Sequence, residues 1–107
     1  MERICFVFEV KEGAEERYDR AHASIWPDMP ALLSGAGISD YSIFRDGTRL
    51  YAFLKAEPSW DAAQAVLRSS EVQQRWNAEM ASLIAWQLDG EGRFHEAVEV
   101  FRFDGRD

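Results

Sequence analysis

The run Tyr41-Ser42-Ile43-Phe44-Arg45-Asp46-Gly47-Thr48-Arg49-Leu50-Tyr51-Ala52-Phe53-Leu54 decides the fold. Tyr41 and Ile43 alternate with Ser42 and Phe44, which is the period of a strand over residues 40–45. Asp46-Gly47 then gives the strongest short hairpin signal in the chain. The return strand, over residues 50–57, sets Tyr51, Phe53 and Lys55 on one face and Ala52 and Leu54 on the other, and Pro58 closes it.

Upstream, residues 3–10 are nearly continuous in apolarity and rich in β-branched and aromatic types, which predicts a strand covered on both faces. Downstream, Val98 and Val100 alternate with Glu99 and Phe101, which predicts a last strand over residues 97–103. Residues 88–93, with two glycines and three charges, read as the loop before it.

Helices fill the intervals. Lys11-Glu12-Gly13 breaks the first strand, and Glu15 and Glu16 place carboxylates in the first turn of a helix that carries Tyr18 and His22 and bends or stops near Trp26-Pro27. Pro27 suits the start of a renewed helix, which Gly35 and Gly37 end. Ser59 and Ser70 read as N-caps, the second with Gln73 as a capping box, for helices over residues 60–68 and 71–86. Val72, Trp76, Met80 and Leu83 form a stripe along the latter.

The order strand, helix, strand, strand, helix, strand is that of an α+β, ferredoxin-like βαββαβ domain: four antiparallel strands with helices on one face. At 107 residues, with no internal repeat and no linker, the chain fits a single domain spanning residues 1–107. The sheet's other face must also be buried, and a second copy in a symmetric homodimer supplies the cover most simply.

Composition narrows the function. Twelve basic against 19 acidic residues give a net charge of −7, the wrong sign for holding phosphate backbones or anionic membranes. The single cysteine, Cys5, excludes an internal disulfide and fits a reducing, cytoplasmic setting. The N-terminus has no secretory pattern, and no apolar run is long enough to span a bilayer.

His22, His95 and Cys5 fall in three separate elements, so no metal motif is present. Gly35-Ala36-Gly37 lacks the preceding strand and the downstream glycine of a dinucleotide cradle, and no nucleophile elbow occurs. The chain therefore calls for no cofactor. What remains is a cluster of aromatic and polar side chains. Tyr18 and His22, four residues apart, project from one helix face, and Trp26, Tyr41 and Trp76 lie on neighbouring elements. Imidazole exchanges protons near neutral pH, and aromatic planes with a few hydroxyls suit a small polyhydroxylated ligand.

The stretch His22-Ala23-Ser24-Ile25-Trp26-Pro27, preceded by Glu16-Arg17-Tyr18, resembles the L-rhamnose mutarotase family, together with Asp40-Tyr41-Ser42-Ile43, Gln74-Arg75-Trp76 and Glu99-Val100-Phe101. The resemblance runs over nearly the whole chain. It implies a dimeric α+β barrel that interconverts the α and β anomers of L-rhamnose or a related 6-deoxy monosaccharide. By the same resemblance His22 is the proton donor, and Tyr18, Tyr41 and Trp76 contact the sugar.

One position and one loop depart from the family pattern. Where the family usually has two tryptophans in a row this chain reads Trp76-Asn77, which puts a carboxamide at a sugar contact. The family's Asn-Pro-Asp-Asn-Ser-Pro-like loop is replaced by Trp86-Gln87-Leu88-Asp89-Gly90-Glu91. Asp28 and Asp40 are further candidates as proton acceptors, each with a simpler reading as a helix-start or turn residue. The alternative class is a non-catalytic ferredoxin-like module that binds a small ligand in the same pocket; a cofactor-free oxygenase or dehydratase with an aromatic substrate is a further rival.

Overall fold

The computed structural model describes residues 1–88 and 90–105. In chain order the elements are β1 (Glu2–Val10), α1 (Glu15–Ala23), α2 (Asp28–Gly35), β2 (Ile38–Asp46), β3 (Arg49–Ala56), α3 (Trp60–Arg68), α4 (Glu71–Met80), β4 (Ile84–Trp86) and β5 (His95–Ala97). The sheet runs β2-β3-β1-β4, with β5 also on β1, and every pairing is antiparallel. This is the ferredoxin-like α+β arrangement that the hairpin and its flanking elements imply.

Alternation sorts the strands. Ile4, Phe6, Phe8 and Val10 of β1 join Leu50, Ala52, Leu54 and Ala56 of β3 in one buried cluster with Tyr18, Met29, Trp60 and Trp76 from the helices. The opposite face carries Tyr51 and Phe44, which are exposed, and Phe53, under the Arg3 guanidinium at 4.9 Å. The first strand was expected to be covered on both faces; in the single chain the helices cover one.

Two expectations about the C-terminal half need correction. The helix foreseen over residues 71–86 stops at Met80, and Ile84–Trp86 forms β4 instead. A stripe at 72, 76, 80 and 83 cannot tell a helix that continues from one that turns after Met80. The deciding term is tertiary: the edge of β1 has free backbone groups, which pair Val10 with Ile84 and Glu9 with Trp86.

The last strand, expected over residues 97–103, is instead the short β5, paired with β1 from Cys5 to Val7. Val98, Val100, Phe101 and Phe103 follow with their side chains in solvent. Of the loop expected over residues 88–93, Leu88 bridges to Phe94, and Asp89 lies outside the described residues.

The caps behave as their residue types demand. Ser59 Oγ accepts from Ala62 N at 3.0 Å and Ser70 Oγ from Gln73 N at 3.3 Å. Only half of the capping box forms, because the Gln73 amide turns to Asn77. Glu2 of β1 adds a second acceptor to the start of α3, at 2.7 Å from Trp60 N. At Gly37, φ is +86° and a Cβ would collide with the Glu57 carbonyl oxygen, so only glycine fits between α2 and β2.

Candidate functional site

Between the sheet and the helices lies a cavity of about 690 Å³. α1 contributes Tyr18 and His22, stacked one turn apart with ring centroids 4.2 Å from each other. Tyr18 is buried, and loss of hydration pushes its phenol above the usual range, with the nearby Tyr41 and Asp19 acting in the same direction.

His22 Nδ1 sits 3.0 Å from the Tyr18 carbonyl oxygen. A carbonyl only accepts, so Nδ1 carries the hydrogen and Nε2 is left as the exchangeable nitrogen. Trp76 meets His22 edge to face at 5.3 Å, and Trp26 in turn meets Trp76 edge to face at 5.1 Å. Trp26 is not part of the cavity wall. It supports Trp76 from behind, under the Arg75 guanidinium at 6.0 Å.

Tyr41 reaches the cavity through an irregularity in β2. Ile38 pairs with Ala56 and faces the core, yet Tyr41, Ile43 and Arg45 also line the cavity, although their positions differ from Ile38 by an odd number of residues. The phase changes because two residues, Asp40 and Tyr41, lie between the pairs Ser39↔Lys55 and Ser42↔Phe53, where β3 has only Leu54. Asp40 takes φ +48° at this bulge and pairs with Lys55 Nζ at 2.8 Å. Loss of hydration raises the Tyr41 phenol to about 12. The residue is still 37% accessible, as fits a side chain on the wall of a cavity ringed by protein.

The structure thus brings His22, Tyr18, Tyr41, Trp76 and Asn77 to one cavity. Asp28 and Asp40, considered as proton acceptors, are not on its wall. Among the described residues the carboxylate on the wall is Asp19, held by Arg45 through bonds of 2.8 and 2.6 Å. These bonds, together with the positive charge of Arg45, keep the Asp19 carboxyl below its usual range. The pair was missed in the sequence, although Arg45 shares the alternation of Tyr41 and Ile43.

Trp60 was missed as well. Its indole nitrogen is buried and finds no acceptor among the described residues. Its ring lies against Phe6 and Phe94 at 5.9 and 5.8 Å and forms part of the wall.

Among the described residues no three His, Cys, Asp or Glu side chains gather as a metal ion would require, and no helix is long and apolar enough to cross a membrane.

Sheet topology and cavity define a ferredoxin-like α+β protein with an aromatic pocket around one histidine. Comparisons narrow the class. The family profile described as L-rhamnose mutarotase matches residues 3–103. An L-rhamnose mutarotase of Bacteroides thetaiotaomicron is 37% identical over 106 residues, 97% of this chain and all of the relative. One of Burkholderia ambifaria is 41% identical over 92 residues, 84% of this chain and 86% of the relative.

The crystal structure of an L-rhamnose mutarotase from Formosa agariphila superposes with a TM-score of 0.77 at 28% identity, covering 97% of this chain and all of that one. A tetracenomycin F2 cyclase from Streptomyces glaucescens, a type-II polyketide cyclase, shares the fold at a TM-score of 0.65 and 16% identity, covering 99% of this chain and all of that one. The chain belongs to the L-rhamnose mutarotase family, whose members are isomerases acting on carbohydrates.

Proposed function

We propose that the protein interconverts the α and β anomers of L-rhamnose or a related monosaccharide, with His22 as general acid at the ring oxygen. The observation that carries this reading is the state of the imidazole. Its Nδ1–H is committed to the Tyr18 carbonyl, and its ring lies on a cavity wall between Tyr18 and Trp76.

Ring opening needs a proton delivered to the ring oxygen while the anomeric hydroxyl gives one up. The imidazolium donates from Nε2, and the C1–O5 bond breaks as the anomeric oxygen becomes an aldehyde. Rotation about C1–C2 and reclosure on the other face, with Nε2 taking back its proton, give the second anomer. Arg45 engages both oxygens of Asp19, so the anomeric proton passes to solvent. Trp76 stacks on a C–H face of the sugar, and the phenols of Tyr18 and Tyr41, which burial keeps protonated, bond its hydroxyls, as does the Asn77 amide.

The reading extends to the assembly and its setting. Phe44 and Tyr51 on the uncovered sheet face and the apolar C-terminal segment support a homodimer. Cys5 as a free thiol supports a reducing, cytoplasmic environment.

Saturation-transfer NMR on the anomeric protons of L-rhamnose tests the chemistry. Wild-type protein accelerates exchange, and His22→Ala lowers the rate by about 10²- to 10⁴-fold. Full exchange by the variant overturns the assignment of His22. Saturable sugar binding without any acceleration by the wild type points to a binding module instead.

A further inference from the structure

The cavity is larger than a deoxysugar ring needs, and part of its wall is not aromatic. Its 690 Å³ falls near the middle of the ~300–1,000 Å³ range that accommodates drug-sized ligands. On α3, Gln64 and Arg68 stand four residues apart on one face, and both line the cavity. On α4, Gln73 and Asn77 repeat that spacing and line it too, with Gln73 Nε2 donating to Asn77 Oδ1 at 2.8 Å. That bond leaves the amide hydrogens of Asn77 free to donate. The Gln64 side chain has no hydrogen-bond partner among the described residues.

Among the described residues, the charged side chains on the wall are one carboxylate and two guanidinium groups. Asp19 and Arg45 neutralise each other. Arg68 has no carboxylate partner among the described residues, so their part of the wall keeps one positive charge in a chain whose net charge is −7. An unpaired guanidinium on the same cavity wall as amide donors can receive a small anion, and its fork matches a carboxylate in particular. The wall adjoins the reacting end, since Asn77 follows Trp76, which touches His22.

Resting on the mutarotase reading, we propose that the preferred substrate is a monosaccharide with an anionic substituent, such as the carboxylate of a hexuronic acid. Arg68 holds the anion, and Gln64, Gln73 and Asn77 supply the surrounding hydrogen bonds. The aromatic end takes the pyranose ring, and the α3–α4 wall takes the charged group.

Three acid and neutral pairs test this: L-mannuronate against L-mannose, D-glucuronate against D-glucose, and D-galacturonate against D-galactose, with D-glucose 6-phosphate as the phosphate arm. Anomer exchange by saturation transfer and binding by tryptophan fluorescence are measured for wild type, Arg68→Gln and Arg68→Lys. The expected result is a preference of about tenfold or more for at least one charged sugar over its neutral partner. Arg68→Gln reduces the preference to near parity, and Arg68→Lys retains part of it.

A larger effect for the phosphate than for the uronates supports the site and assigns its anion as phosphate. The proposal is overturned if no charged sugar is preferred in either readout, or if Arg68→Gln keeps the wild-type preference. A binding preference that Arg68→Gln abolishes, with no exchange of any sugar by wild type, supports the anion site and rejects the mutarotase reading.

Discussion

Tyr18 and Tyr41 give up hydration to line the cavity, and a phenolate there would lack the water that stabilises it. Both therefore stay protonated, and available as donors, beyond the pH at which a free phenol ionises. The same cost appears in stability. A phenol whose pKa is raised in the folded state contributes fully below its unfolded value, near 10, and that contribution is lost as pH rises through the folded value, about 12 for Tyr41. Urea midpoints should accordingly hold up to about pH 10 and fall progressively between pH 10 and 12, with Tyr41→Phe showing a shallower fall. An equal fall in that variant would show that Tyr41 is not the group responsible. At this scale the pairing of Tyr18 with His22 was legible, because four residues along a helix is a local geometry. The hold of Arg45 on Asp19 was not, since it joins α1 to β2 across 26 positions.

Among the elements, β2 shows how one extra residue makes a site. Without the bulge, Tyr41, Ile43 and Arg45 would turn to the outer face while Ile38 stays in the core, and this wall of the cavity would be lost. The bulge depends on Asp40 at φ +48°, a conformation that aspartate tolerates and β-branched residues resist. Asp40→Val should lower the melting temperature by about 5 °C and weaken sugar binding, because Tyr41 loses its aim. Asp40→Gly, which adopts the same dihedral without a Cβ, should keep both near wild type. If the two variants behave alike, the Asp40–Lys55 ion pair rather than the backbone sets the bulge. The alternation of Tyr41 and Ile43 was readable in the sequence, but the phase change at Asp40 carries no composition signal. The end of α4 was hidden for a related reason: Ile84–Trp86 is a strand only because β1 offers it an edge.

For the whole molecule, the protomer leaves apolar surface on the side of the sheet away from the helices. Phe44 and Tyr51, cross-strand partners in β2 and β3, are exposed there, and Phe101 at 81% and Phe103 at 72% exposure follow β5. The C-terminal segment is tied down at the Arg3–Glu99 pair, 3.2 Å, which brings Val98 and Phe101 beside Cys5 and Phe53 on that same side. Two separate apolar features on one side of a small protein are unfavourable in water, and a two-fold partner presenting the same surface buries both at once. A dimer of this kind predicts that sedimentation velocity gives twice the protomer mass of 12.3 kDa. It also predicts that Phe44→Asp and Phe101→Asp each weaken association by about thirtyfold or more, the cost of losing an interface anchor. Neither side chain lines the cavity, so the variants separate assembly from sugar contact. A wild-type protein that sediments as a monomer at all concentrations would require another partner for this surface. Variants that stay dimeric would place the interface elsewhere on the molecule.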